Sequence, residues 1–305
     1  MPPKVSVSVP ASTANLGAGF DCLALALDLY NTVDFEEIES GLEITVEGEG
    51  AGQVPRDETN LIIRAAERVF AHVGRRPRGL RVRAVNGIPL GSGMGSSASA
   101  AVGGLAAANA LVAGNLNRAD LLRLAYELEG HPDNAAAAIY GQLTLVSATE
   151  DDWLVRSLAI APMQMVIALP EIQLSTAEAR AALPAQVPLK DAVFNIGRAL
   201  FTVQALVEGD QVLLRQAMAD KLHQPYRRKL ITGYEAVEAA ALQAGALAVA
   251  LSGAGPALIA FTAGNWQPLI AAAMQRAFEA HGVRCRTFVA GVDGEGVRVS
   301  TEEKL

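Results

Sequence analysis

The chain alternates between short runs of period-two hydrophobicity and longer stretches of helical spacing. Residues 4–9, KVSVSV, place an apolar side chain at every second position and predict a strand. The glycines at 17 and 19 predict a turn after it. Residues 32–38 and 42–46 alternate in the same way on either side of Ser40-Gly41 and predict a hairpin. Residues 48–57 read as loop. Over 60–73, Leu61, Ala65, Val69 and Val73 share one stripe, which predicts a helix, and 80–85, LRVRAV, predicts another strand. The alanine-rich stretch 98–113 predicts a buried helix. Residues 118–129 predict an amphipathic one, with Leu121, Leu124, Ala125 and Leu128 facing inward. A short helix over 134–140 and a strand over 142–146 complete this half.

Residues 153–161 read as a crossover, and the continuous apolar run 163–169 as a central strand. Helical spacing follows over 191–207, 211–219 and 233–244, then strand, glycine turn and strand over 247–261. A helix over 267–280 and a last strand over 283–291 end the pattern. Strands and helices do not alternate as regular βαβ units, so the expected class is α+β. At 305 residues two domains are expected, divided as 1–155 and 156–305.

Composition narrows the function classes. With 51% hydrophobic and 19% charged residues the chain can bury a substantial core. A net charge of −7 argues against a nucleic-acid-binding surface, and the densest basic cluster, RRPR at 75–78, reads as loop decoration. Cys22 and Cys285 are too far apart in sequence to suggest a disulfide framework or a zinc site. The first residues lack the long apolar core of a secretory signal, and the apolar run 98–113 is interrupted by Asn109 and short for a bilayer span. A cytoplasmic protein without a membrane segment is the expectation.

Four polar or glycine-rich segments interrupt this apolar chain: 10–21 (PASTANLGAGFD), 89–99 (PLGSGMGSSAS), 129–134 (EGHPDN) and 251–256 (LSGAGP). The second is the most informative. Gly91, Gly93 and Gly95 let backbone approach a ligand, and the following helix presents unpaired N–H groups and the positive end of its dipole. Ser96, Ser97 and Ser99 add hydroxyls. The loop is not a Walker loop, having no lysine, nor a dinucleotide fingerprint, since Ser96 stands where the third glycine belongs. An ordinary turn before a core helix is the competing reading; three alternating glycines followed by paired serines favour phosphate.

Taken together, these motifs resemble the GHMP kinase superfamily, the galactokinase, homoserine kinase, mevalonate kinase and phosphomevalonate kinase group. The 89–99 segment is similar to its P-x-G-x-G-L-G-S-S-A-S phosphate loop, with Met94 in place of the usual leucine, and 251–256 to its late glycine-rich motif. STANLGxGFD, EGHPDN, Ser175-Thr176 with Arg180, and QPYR at 224–227 resemble the homoserine kinase branch. The resemblance implies a two-domain fold: an N-terminal domain like ribosomal protein S5 domain 2 and a ferredoxin-like C-terminal domain. It implies ATP-dependent phosphorylation of the L-homoserine side-chain hydroxyl, in threonine biosynthesis, with Mg2+.

The same resemblance assigns residues. Pro89, Leu90, Gly91, Ser92, Gly93, Met94, Gly95, Ser96, Ser97, Ala98 and Ser99 would bind ATP. Ser97 and Glu129 would hold the magnesium; Glu127 is a neighbouring candidate, but the spacing to His131 and Asp133 favours Glu129. Asn15, Asp21, His131 and Asp133 would line the substrate pocket. Arg180 and Arg227 suit a carboxylate, which a guanidinium can bind bidentately, with Thr176 in support. Mevalonate-type relatives carry an aspartate where Asn134 stands, and an amide cannot take a proton at neutral pH. Asn134 is therefore expected to orient the hydroxyl, with Asp21 the rival base. A sensor that binds the same ligands without turnover is the alternative; intact Glu129 and Ser97 favour an enzyme. ATP and L-homoserine are the expected partners, and a homodimer is expected only from family habit.

Overall fold

A computed structural model describes residues 4–150 and 152–302. The chain forms two antiparallel-rich sheets, each carrying helices on its outer face, with a shared apolar layer between them. Strands β1 (Lys4–Asn15), β2 (Gly19–Ile38) and β3 (Gly41–Gly48) come first, then α1 (Leu61–Val73) and β4 (Gly79–Asn86). Helices α2 (Ser96–Leu111), α3 (Arg118–Glu129) and α4 (Asp133–Tyr140) precede β5 (Leu143–Ala148) and β6 (Trp153–Leu158). The second half holds β7 (Gln164–Pro170), α5 (Thr176–Ala181), α6 (Leu189–Glu208), α7 (Gln211–Ala217), α8 (Gln224–Arg227) and α9 (Tyr234–Gln243). It ends with β8 (Ala248–Leu251), β9 (Leu258–Thr262), α10 (Gln267–Glu279), β10 (Cys285–Ala290) and β11 (Arg298–Glu302).

The first sheet runs β11-β1-β2-β4-β3, and β5 and β6 continue it from the other part of the long β2. The expected hairpin between 32–38 and 42–46 does not form. β4 inserts between the two strands, antiparallel to β2 and parallel to β3. Charge explains the arrangement. Asp34 and Glu36 on β2 and Glu43 and Glu47 on β3 are all acidic, and like charges opposite one another destabilise a strand pair. Arg81 lies between Glu36 (3.1 Å) and Glu43 (2.7 Å), and Arg83 between Asp34 (3.7 Å) and Glu47 (2.9 Å). The expected crossover over 153–161 is likewise corrected: its first part is β6, hairpinned with β5, and an expected domain division at 155/156 falls inside that strand. The chain's last strand, β11, returns to pair with β1.

The second sheet has the order β10-β7-β9-β8, all antiparallel. In sequence order this is β-α-β-β-α-β with strand order 4-1-3-2, the ferredoxin-like arrangement expected for this half. α9 and α10 cover one face through Val237, Ala241, Ile270, Met274 and Phe278. The other face joins a middle layer in which Leu25, Leu27, Ile88 and Met94 meet Met165, Ile167, Ile259 and Phe261. This layer brings the glycine-rich segments of the two halves together. In α1 the buried face is Ile62, Ile63, Ala65, Ala66, Val69 and Phe70, so Ala65 and Val69 of the predicted stripe lie in the core while its two ends, Leu61 and Val73, are half-buried. α2 is apolar all round because it lies between the sheet and α1 and α3, which explains its small side chains. No helix among the described residues is long and apolar enough to cross a membrane.

Candidate active site

The four polar segments converge on one cleft of about 580 Å3 between the two halves. Its floor is the 89–99 loop entering α2. Gly95 caps this helix in the left-handed region (φ 68°) with no side-chain cap, so the first-turn N–H groups lie free toward the cleft. Gly93 (φ 78°) and Gly95 are enforced by crowding. A Cβ on Gly93 would lie 2.2 Å from the Ser252 carbonyl oxygen, and one on Gly95 would lie 2.0 Å from Ser12 Oγ. The loop is also braced from outside: Ser252 Oγ donates to the Gly93 carbonyl (2.8 Å), and the Ser12 N–H donates to that of Met94 (3.1 Å).

Most of the expected phosphate-loop residues line the cleft, namely Gly91, Ser92, Gly93, Gly95, Ser96, Ser97 and Ala98. Four do not. Met94 is fully buried in the middle layer, which accounts for an apolar residue at that position. Ser99 is fully buried and its hydroxyl donates to the Val9 carbonyl (3.4 Å). The Pro89 carbonyl accepts from Ser92 Oγ, and Leu90 points outward. These four shape the loop instead of presenting side chains to a ligand.

At the mouth of α2, Ser97 Oγ donates to Glu129 Oε1 at 2.8 Å. Glu129 is the last residue of α3, whose left-handed cap Gly130 turns the chain toward His131. Glu127 faces elsewhere and pairs with Arg68. Two oxygens on the lip of an anion seat are a hard donor set, suited to a cation that takes its remaining ligands from phosphate and water.

Beyond this pair lies a charged pocket. Arg180, on α5, makes two bonds to the Asp21 carboxylate, 3.0 and 3.2 Å. Arg227 is almost wholly buried beneath it; its guanidinium lies over the Phe20 ring (5.1 Å) and donates to the Ala179 carbonyl. Burial lowers the Arg227 pKa, and Asp21 is the first charge opposing that shift. His131 has its Nδ1 3.5 Å from Asp133, whose carboxylate raises the imidazole pKa against burial. Asp133 is buried at the start of α4 and accepts from the Asn134 N–H (2.8 Å). Asn134 Oδ1 in turn accepts from Ser12 Oγ (2.9 Å). Thr176 lines the rim and is exposed, following Ser175, which forms a capping box with Glu178. Burial pushes the Cys22 thiol up to about 11, with Asp133 and Asp21 adding to the shift, so it is no nucleophile.

Asn15 lines the cleft and also braces it. Its Oδ1 accepts from the Asp21 N–H (2.9 Å) and its Nδ2 donates to the Gly253 carbonyl (2.7 Å). Asn15 (φ 73°) and Asp21 (φ 54°) both sit in the left-handed region, so this amide pins a strained loop that carries Asp21. Gly253, Ala254 and Gly255, from the fourth polar segment, line the opposite wall and join the site residues expected from sequence. Ser12, at the head of the STANLGxGFD motif, has no role assigned from sequence; its bond to Asn134 gives it one.

Comparison with known proteins decides the family. Residues 60–142 match the GHMP kinases N terminal domain, and residues 202–284 match the GHMP kinases C terminal model. The chain belongs to the GHMP kinase family. It is 49% identical to a homoserine kinase of Moorella thermoacetica over 92% of this chain and 94% of that one. It is 41% identical to a homoserine kinase of Crocosphaera subtropica over 97% of each. The crystal structure of a homoserine kinase from Cytophaga hutchinsonii superimposes with a TM-score of 0.88 at 32% identity, covering 97% of both chains. The two-domain architecture described above is therefore the GHMP kinase fold.

Proposed function

We propose that this GHMP kinase is a homoserine kinase, which transfers the γ-phosphoryl group of ATP to the side-chain hydroxyl of L-homoserine and gives O-phospho-L-homoserine, a step of threonine biosynthesis. The observation that carries the reading is the placing of an uncapped helix N-terminus and the Ser97–Glu129 pair across one cleft from Arg180, Arg227 and two aspartates. One side suits a triphosphate and the other a small zwitterion.

The free N–H groups of the 91–98 segment would hold the phosphate oxygens, and the α2 dipole would favour their charge. The donor pair Ser97 and Glu129 fits Mg2+, which when bound neutralises charge on the terminal phosphates. Arg227 supplies a desolvated guanidinium for the substrate carboxylate. Arg180 shares its fork with Asp21, so the substrate engages that ion pair as a unit, with Thr176 at the rim. Asp133, adjoining His131, accepts the ammonium group. Asn134 is held on one side by Ser12 and on the other by Asp133, which aims its amide at the hydroxyl. A loose phosphoryl transition state needs little prior ionisation of the nucleophile, so alignment by Asn134 suffices without a protein base on that atom, and the hydroxyl proton leaves to a phosphoryl oxygen or to water as the new O–P bond forms. With ATP as co-substrate and no apolar spanning helix among the described residues, a cytoplasmic location accompanies this reading.

The test is release of ADP by purified protein with Mg-ATP and a panel of small alcohols that includes L-homoserine, L-serine and mevalonate. Turnover on homoserine with phosphate recovered on its side-chain oxygen is expected. Nucleotide binding without turnover on any alcohol would sink it.

A further inference from the structure

One buried ring ties the two sides of the charged pocket together. His223 is fully buried and stands just before α8, the short helix that carries Arg227. Its carbonyl accepts from the Arg227 N–H (3.1 Å), so its backbone opens the turn on which that guanidinium rides. Its side chain reaches the other way, to the Gly17 carbonyl, 2.7 Å from Nε2 and 206 residues distant in sequence. A carbonyl only accepts, so Nε2 carries a proton. Burial lowers the imidazole pKa against the pull of Asp220, so the ring is neutral and holds no second proton. Nδ1 is accordingly bare, buried without a hydrogen-bond partner among the described residues. A ring kept for packing alone has no reason to leave a nitrogen bare, since phenylalanine would fill a similar volume without that cost. The bond to Gly17 is what histidine adds.

The loop that receives this bond needs it. Asn15, Leu16, Gly17 and Asp21 all have positive φ (73°, 36°, 68° and 54°), a run that persists only where its surroundings hold it. The loop lies against the Met218 backbone, whose carbonyl oxygen would be 2.4 Å from a Cβ on Gly17. The buried Asp220 carboxylate accepts from the His223 and Gln224 N–H groups (3.0 and 2.6 Å) and from Asn195 Nδ2 (2.6 Å). Asn195 also reaches the Ala18 carbonyl (3.4 Å), so two residues seated on one carboxylate hold consecutive carbonyls of the loop. Phe20, in the same loop, stacks with the His223 ring (centroids 5.2 Å apart) and has the Arg180 and Arg227 guanidinia over its own (5.9 and 5.1 Å). We propose that His223 is a positioning residue for the amino-acid end of the substrate: its Nε2–H bond to Gly17 sets the loop that carries Asp21 at a fixed place relative to Arg227. The inference rests on the homoserine kinase reading. His223 does not itself line the cleft and acts through Asp21 and Arg227, which do. The phosphate loop is braced separately by Ser12 and Ser252, so the effect falls on one substrate.

Two variants rank oppositely under positioning and under packing. His223→Phe keeps an aromatic ring and loses the donor; His223→Gln loses the ring and keeps an amide N–H at a similar reach. Positioning predicts that His223→Phe raises KM for homoserine about tenfold while KM for ATP stays within about twofold, and that His223→Gln recovers most of the loss. Packing predicts the reverse order, with His223→Phe near wild type and His223→Gln impaired. That reverse order overturns the proposal, as do equal impairment of the two variants and a parallel rise in both KM values. Should His223→Phe fail to fold, long-range 1H–15N NMR of the wild-type protein decides. At neutral pH the His223 ring, assigned by its loss in His223→Gln, should be the Nε2–H tautomer; an Nδ1–H tautomer overturns the proposal. A wild type that turns over no homoserine defeats the kinase reading and this inference with it. Wild-type turnover beside an unchanged His223→Phe defeats this inference alone.

Discussion

Replacing each of three glycines in the phosphate loop with alanine separates backbone strain from crowding and from ligand contact. All three have positive φ, 60° at Gly91, 78° at Gly93 and 68° at Gly95, so each alanine carries a left-handed penalty of about 1–2 kcal/mol. They differ in what the new Cβ meets. At Gly91 there is nothing within 4 Å, so Gly91→Ala should cost only that penalty. At Gly95 the methyl lies 2.0 Å from Ser12 Oγ, which can rotate away at the loss of its hydrogen bond to Asn134, adding about 1 kcal/mol. At Gly93 it strikes the Ser252 and Gly255 carbonyl oxygens, 2.2 and 2.9 Å away, which are backbone from the other half of the molecule. Relieving that clash means parting the two halves, and overpacking of this kind adds about 1–3 kcal/mol. Urea denaturation should therefore rank the losses Gly91→Ala, Gly95→Ala, Gly93→Ala in increasing order. ATP affinity should not follow stability. The Gly91 methyl projects into the cleft, where a phosphate would approach the backbone, so the variant with the smallest stability loss should still raise KM for ATP severalfold. Equal destabilisation of all three, or an unchanged KM in Gly91→Ala, would refute the reasoning.

The remaining predictions concern single side chains. Ser97→Ala and Glu129→Gln should each lower kcat by tenfold or more and raise the Mg2+ concentration needed for half-maximal rate, with stability changed by under about 1 kcal/mol since the pair is exposed. Arg180→Ala should raise KM for homoserine far more than KM for ATP, and urea titration should find a stability loss below about 1 kcal/mol, as for other partly exposed ion pairs. Asn134→Ala should lower kcat with little change in homoserine affinity; full turnover in that variant would remove its orienting role. The raised His131 pKa means that the folded state binds its proton more tightly than the unfolded chain does. Its stabilisation is full below about pH 6.5 and fades as pH rises through the higher folded value, so the Tm difference between wild type and His131→Gln should shrink from pH 5.5 to pH 8.5.

The hydrophobic pattern exposed elements better than pairings. Periods of two and near four located β1, β4, α1, α3 and α10 because each buries one face. The pattern is blind to which strand lies beside which, since an alternating strand fits any neighbour with the same pleat. The choice of β4 over β2 as the partner of β3 was nevertheless written in the charges, acidic on both outer strands and basic on the one between. Only a comparison of polar faces across strands would have read it. β11 left no comparable signal, since Arg298–Glu302 is polar at four of five positions and is held by main-chain pairing to β1.

Residue type and motif spacing identified the groups that meet in the cleft, because glycine, carboxylate and guanidinium have few other uses when clustered in an apolar chain. They could not tell a group that faces a ligand from one that holds such a group in place. Asn15 shows why: its amide is bonded at both ends, to the Asp21 N–H and the Gly253 carbonyl, and so ties the first polar segment to the fourth. Ser252 repeats this bond pattern between the fourth segment and the second, and Ser12 between the first and the third through Asn134. Each linkage spans at least 122 residues of sequence, a separation over which local pattern carries no information. The cleft is thus shaped by polar side chains that cross-brace its four loops, and a small change in any brace should move several of the groups facing a ligand at once.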